Sequence, residues 1–139
     1  MATMQCDIVS AERQIFSGQV TMVVATGTIG ELGIMPGHAP LLTGVRPGPI
    51  RLKIEGGSEE VFFASGGFLE VQPSHVTILA DTALRAEDLD EAAAQQAKEQ
   101  AERALVDRAS DLDHAAIAAM LAEASAQLRV LAELRRERR

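Results

Sequence analysis

The chain has 139 residues, 47% of them apolar and only 3% aromatic, with a net charge of −7. That length allows one ordinary domain, or a small domain with an appendage, packed with Val, Ile, Leu and Ala. The acidic balance argues against nucleic-acid binding, which relies on Lys and Arg to neutralise phosphates, and Cys6 as the single cysteine excludes an internal disulfide or a cysteine-based zinc site.

From Met1 to Asp7 there is neither the basic start nor the long apolar stretch of a secretory signal. No apolar run approaches the roughly 20 residues of a membrane span, so the expectation is a soluble, cytoplasmic chain. Residues 1–84 read as β. Cys6 to Val9 and Val20 to Thr26 supply the first two strands. Between Gly30 and Thr43, three glycines and two prolines in fourteen residues predict a set of bends rather than a helix or continuous strand. Glu31 and His38 sit at the turns of this segment, a surface suited to meeting a partner.

Further on, Ile50, Leu52 and Ile54 alternate with Arg51, Lys53 and Glu55, the period of a strand with one wet face. Gly56-Gly57-Ser58 turns the chain into a hairpin partner, Glu60 to Ala64. Phe68 to Gln72 and His75 to Ala80 repeat the pattern across Pro73-Ser74. Many short strands with frequent turn signals favour an antiparallel sandwich, and no helix of useful length fits between them.

From residue 86 onward Gly and Pro are absent and strong helix formers take over. Asp88 followed by Glu91 predicts a cap for a first helix, from about Leu89 to about Arg108. Ser110-Asp111-Leu112-Asp113 breaks it, with Asp113 placed to cap a second helix. Leu89, Ala93, Ala97, Ala101 and Leu105 form one apolar stripe, and Ile117, Leu121, Ala124, Leu128 and Leu131 form the other. A short connection between such faces makes an antiparallel hairpin. The fold class is therefore α+β: a β-sandwich domain over 1–86 and a helical hairpin over 87–139. The alanine-rich first stripe packs closely but weakly, because a methyl group contributes a fraction of the roughly 1.5–3 kcal/mol of a buried Leu or Ile. Such a hairpin suits a mobile arm. At the chain's end Arg129, Arg135, Arg136, Arg138 and Arg139 outnumber Glu133 and Glu137, a basic tip suited to an acidic protein surface.

No catalytic constellation emerges. Ser65-Gly66-Gly67 joins two strands, whereas a nucleophile elbow needs Gly-x-Ser-x-Gly between a strand and a helix. Gly27, Gly30 and Gly33 match neither the dinucleotide nor the P-loop fingerprint. His38, His75 and His114 are far apart and show no metal-ligand spacing. His75 reads as a solvated residue at a strand start, His38 as a turn histidine at a protein contact, and Cys6 as a small core residue.

The segment Gly30-Glu31-Leu32-Gly33-Ile34-Met35-Pro36-Gly37-His38-Ala39-Pro40-Leu41-Leu42-Thr43, with Ser65-Gly66-Gly67, Leu69 to Pro73 and Leu79 to Ala83, resembles the epsilon subunit of bacterial rotary ATP synthases. The resemblance runs from about Cys6 to about Arg136. It implies a non-catalytic central-stalk subunit that couples rotation to ATP synthesis, without a cofactor or metal, at the cytoplasmic face of the bacterial inner membrane. Membrane contact would come only through the complex. Glu31 would face the ring of c subunits, and Ser10, His38, Thr43 and Ser65 would lie on or near the gamma subunit. The hairpin would extend to the alpha/beta catalytic head, with Arg135 and Arg136 near an acidic loop of beta, and so restrain ATP hydrolysis.

Family members that bind ATP carry Ile/Leu-Asp-x-x-Arg-Ala at the start of the first helix. This chain has Leu89-Asp90-Glu91-Ala92-Ala93-Ala94, with Ala93 in place of the arginine, and Glu123 and Gln127 where strong binders have arginines. A triphosphate needs cations, so weak or no ATP binding is expected. Two alternatives remain: a nucleotide-sensing module whose hairpin closes on ATP, and a small enzyme using Ser65 or His38.

Overall fold

Alternating apolar and polar residues give eight strands: β1 (Met4–Ser10), β2 (Gln14–Gly27), β3 (Gly30–Ile34), β4 (Leu41–Ile54), β5 (Glu59–Ala64), β6 (Gly67–Gln72), β7 (His75–Ala80) and β8 (Ala83–Arg85). A 3-10 turn at Ala86–Asp88 leads to helices α1 (Glu91–Asp107) and α2 (Asp111–Glu137). The computed structural model describes residues 2–107 and 111–137, with side-chain surroundings for 2–106 and 115–136. Arg138, Arg139 and Ser110 lie outside the described residues, as do the side chains of Asp113 and His114. Two units divide the chain, Met1–Arg85 and Ala86–Arg139.

In the first unit the strand order is β3-β2-β1-β7-β6-β4-β5-β8, and β2 also pairs with β4. That second pairing folds the sheet over itself into a sandwich. Its inner surface takes alternate residues: Cys6 and Ile8 of β1, Leu69 and Val71 of β6, Val76 and Ile78 of β7 are all fully buried. Phe16 and Phe62 meet edge to face across the core, ring centroids 5.7 Å apart. Arg85 fastens β8 to β5, reaching Glu60 at 3.2 Å and lying 5.0 Å from the centre of the Phe62 ring. Cys6 is the expected core residue, and burial pushes its thiol up to about 12, with the neighbouring Asp7 charge adding to the effect.

Several expectations need correction. The Gly30 to Thr43 segment is not merely bends: Gly30–Ile34 forms β3 against β2, with Glu31 opposite Thr26, and β4 already begins at Leu41. Glycine content hid the strand, yet Gly30 at φ +135° serves the turn while Gly33 sits within the ladder beside the Met22 side chain. The sandwich is also not wholly antiparallel, because β1 and β7 run parallel, from Gln5 opposite His75 to Ser10 opposite Ala80. Nor is His75 simply solvated: its Nε2 lies 2.8 Å from Asp7 Oδ2 across that parallel pair.

The second unit is a two-helix hairpin, α1 packing on α2. Asp90, not Asp88, caps α1: its Oδ1 accepts the Ala93 N–H at 3.1 Å, while Asp88 belongs to the preceding 3-10 turn. The apolar stripe of α1 follows Ala94 and Ala101, both buried, and Ala93 is exposed. The rest of the expected stripe holds, with Ala101 buried and Leu89, Ala97 and Leu105 half-buried, so the one displacement is Ala94 in place of Ala93. On α2 the predicted stripe is buried at Ala124, and Ala126 and Val130 are buried as well. Since α2 begins at Asp111, Asp113 lies within its first turn rather than before it. Residues Ala115–Arg136 are long and apolar enough, by length and composition, to cross a membrane, contrary to expectation. Alanines extend the apolar stretch there without a run of large side chains, and Glu123 and Arg129 interrupt it.

Candidate functional site

Strand register assembles one outward surface from β4, β6, β7 and β1. Across it run two rows of opposed residues: Leu42, Glu70, Thr77 and Asp7, then Gly44, Phe68, Leu79 and Val9. Leu42, Phe68 and Leu79 are 69%, 59% and 53% exposed. Register makes Phe68 and Leu79 direct neighbours, with Leu42 diagonal to Phe68. The chain has four Phe, no Trp and no Tyr. Leaving one of so few aromatic rings in water, beside two exposed leucines, marks a contiguous apolar patch of the kind that meets a protein.

The expected contact residues surround this patch. At one end, Ser10 stands opposite Ala80, and Ser65 bridges to Thr82, its Oγ accepting the Thr82 N–H at 2.9 Å and hydroxyl at 2.8 Å. Ser65 thus ties the β5–β6 turn to the β7–β8 turn, and no histidine is among its hydrogen-bond partners. At the opposite end lies His38, whose loop is anchored by the Gly37 N–H donating to Pro73 C=O at 2.8 Å. Nδ1 of His38 lies 2.6 Å from the Ala39 carbonyl, and since a carbonyl only accepts, that nitrogen carries the proton. Thr43 is half-buried opposite the core residue Leu69, and its Oγ1 donates to Gly44 C=O at 3.4 Å. Its neighbour Leu42, absent from the expected set, takes the outward position.

A second surface feature is the β2–β3 turn. Ile29 is 91% exposed there, Glu31 is exposed two residues on, and the Thr28 N–H is held by Gly44 C=O at 3.2 Å. Ile29 is thus a second exposed apolar side chain, beside Glu31.

The outer face continues onto β2 as a polar network. Gln5 Nε2 donates to Asp7 Oδ1 at 3.1 Å and to Ser17 Oγ at 2.9 Å. The Ser17 hydrogen bond, then those of Gln5 and His75, hold the Asp7 carboxyl below the usual carboxylate range, outweighing the opposing effect of partial burial.

The nucleotide motif is otherwise employed. Asp90 is occupied as the α1 cap and Ala94 is buried. Arg135 forms an ion pair with Glu91, joining the end of α2 to the start of α1, while Arg136 is exposed. A groove of about 680 Å³ in the sandwich offers an anion Lys53 but also Glu55 and Glu59. Among the described residues no group of three or more His, Cys, Asp and Glu side chains could hold a metal ion.

The sandwich thus presents an exposed apolar patch, and the hairpin that follows carries arginines near its end. Residues 3–86 match the family described as ATP synthase, Delta/Epsilon chain, beta-sandwich domain, and residues 87–132 match its long alpha-helix domain. The ATP synthase epsilon chain of Chromohalobacter salexigens is 59% identical over 135 residues, covering 97% of this chain and 96% of that one. The fold also matches a chain of the Euglena gracilis mitochondrial ATP synthase, with TM-score 0.84 at 22% identity over 94% of this chain and 82% of that one. A chain of the Tetrahymena thermophila mitochondrial ATP synthase central stalk and c-ring matches with TM-score 0.51 at 17% identity, over 63% of this chain and 69% of that one. The chain belongs to the ATP synthase delta/epsilon family.

Proposed function

We infer that this chain is the epsilon subunit of an ATP synthase central stalk, a non-catalytic part of a membrane-associated complex, and that its two units divide coupling from control. The sandwich seats on the gamma subunit through the Leu42, Phe68 and Leu79 face, bordered by Ser10, Ser65 and His38. Thr43, beside Leu42, lies near that contact. The turn bearing Ile29 and Glu31 meets the polar loops of the c ring. Arg135 and Arg136 of the hairpin approach the beta subunit and oppose hydrolysis, on the cytoplasmic face of the bacterial inner membrane. The observation that carries this reading is the exposed apolar face, which suits attachment to another subunit.

The test is ATP hydrolysis by a catalytic head stripped of this subunit, titrated with the full chain and with a truncation after Ala86. Both should bind and only the full chain should inhibit. Equal behaviour would leave a coupling piece without a brake, and failure of both to bind would remove the stalk assignment.

A further inference from the structure

The outer face carries two acids, and one of them, Glu70, borders the apolar patch. Glu70 stands opposite Leu42 on one side and Thr77 on the other, with Phe68 two residues before it on the same strand. It is exposed, and it makes no hydrogen bond or ion pair among the described residues. Its cross-strand neighbours carry no charge, and the diagonal His75 is engaged with Asp7. Asp7, the other acid of that row, is satisfied by Gln5, Ser17 and His75. Glu70 therefore contributes nothing visible to the sandwich, and a carboxylate is a poor strand residue.

Docking changes its situation. A partner that covers Leu42, Phe68 and Leu79 also strips water from Glu70, and a carboxylate desolvated without a counter-charge opposes association strongly. The face thus favours a surface that sets a cation beside its apolar residues. We propose that Glu70 selects the docking partner of this face, by pairing with an arginine or lysine at the border of the apolar surface that the gamma subunit presents. A guanidinium matches a carboxylate bidentately, which favours arginine. The proposal rests on the reading that this face seats on gamma.

Binding of the full chain to the purified gamma subunit of the same enzyme distinguishes the two. Phe68→Ala tests the face and Glu70→Gln tests the charge, with thermal melts checking that both exposed substitutions leave the fold intact. The expected result is that both weaken binding, Glu70→Gln by about 30-fold or more, as for removal of one partner of a desolvated charge pair, and that Glu70→Lys binds more weakly still. If Phe68→Ala weakens binding while Glu70→Gln and Glu70→Lys stay within about twofold of wild type, the face docks but Glu70 selects nothing. If none of the three weakens binding, the seating of this face on gamma fails and takes the proposal with it.

Discussion

Two residues of β1 convert local geometry into measurable chemistry. Asp7 is held below its ordinary range by Ser17, Gln5 and His75. Between its folded and unfolded pKa values the unfolded chain binds more protons, so stability rises with pH there. The contribution of Asp7 is complete above the unfolded value of about 3.9 and is lost as pH falls through the lower folded value. Acid unfolding followed by circular dichroism should be steeper in that window for the wild type than for Asp7→Asn, which should already be less stable at neutral pH. Cys6 behaves oppositely, with a thiol pushed up to about 12 by burial. Its folded pKa is raised, so its contribution is present below the unfolded value of about 8.5 and fades as pH rises beyond it. A thiol reagent at neutral pH should leave Cys6 unlabelled in the native chain and label it stoichiometrically in denaturant. The buried identity of Cys6 was legible from its place in an apolar alternation. The partnership of Asp7 with His75 was not, because it depends on a parallel pairing between strands distant in sequence.

At the scale of single elements, local rules identified most strands and both helices, with the His75 to Ala80 strand exact, and misplaced the starts of others. The α1 cap shows why. Asp88 and Asp90 have similar capping chemistry, and only the 3-10 turn at Ala86–Asp88 decides between them. Asp90→Ala should cost roughly 0.5–2 kcal/mol of hairpin stability, whereas Asp88→Ala should change little, as thermal melts monitored by helical ellipticity can establish. In β6, Gly67 has φ +145°, and an added Cβ would lie 2.0 Å from the Leu79 carbonyl oxygen. Gly67→Ala must therefore separate β6 from β7, and about 2 kcal/mol or more of destabilisation is expected, combining backbone strain with the clash. The Glu91–Arg135 pair is a weaker element. Both side chains are more than half exposed, so Glu91→Gln should alter hairpin stability by under about 1 kcal/mol while freeing Arg135 for a partner.

For the molecule as a whole, the sequence's switch from strand grammar to helix grammar near residue 86 coincides with the division into two units. The sandwich core draws on residues from Met4 to Ala83. The docking face was less legible. Leu42, Phe68 and Leu79 come from three strands, and each alone is an ordinary apolar residue in an alternating run; only register makes them neighbours. Glu31, Ser10, His38, Thr43 and Ser65 were reached through resemblance, since a turn acid, a turn histidine and small hydroxyls carry no distinctive chemistry. The departure from the nucleotide motif became readable once the resemblance supplied the motif, because a missing arginine is a missing charge. Calorimetry on the isolated chain should detect no saturable ATP binding below about 1 mM, an affinity limit near 4 kcal/mol.

The parallel pairing of β1 with β7 also governs when the chain can fold. β1 pairs with β2 along one edge but keeps the other bare until β7 has emerged, because that edge finds its partners in His75 to Ala80. Distant pairing of this kind slows folding, and an exposed strand edge invites association with other chains in the meantime. Slowing translation after β6 should lengthen that exposed state and lower the soluble yield, whereas slowing it within α2 should not.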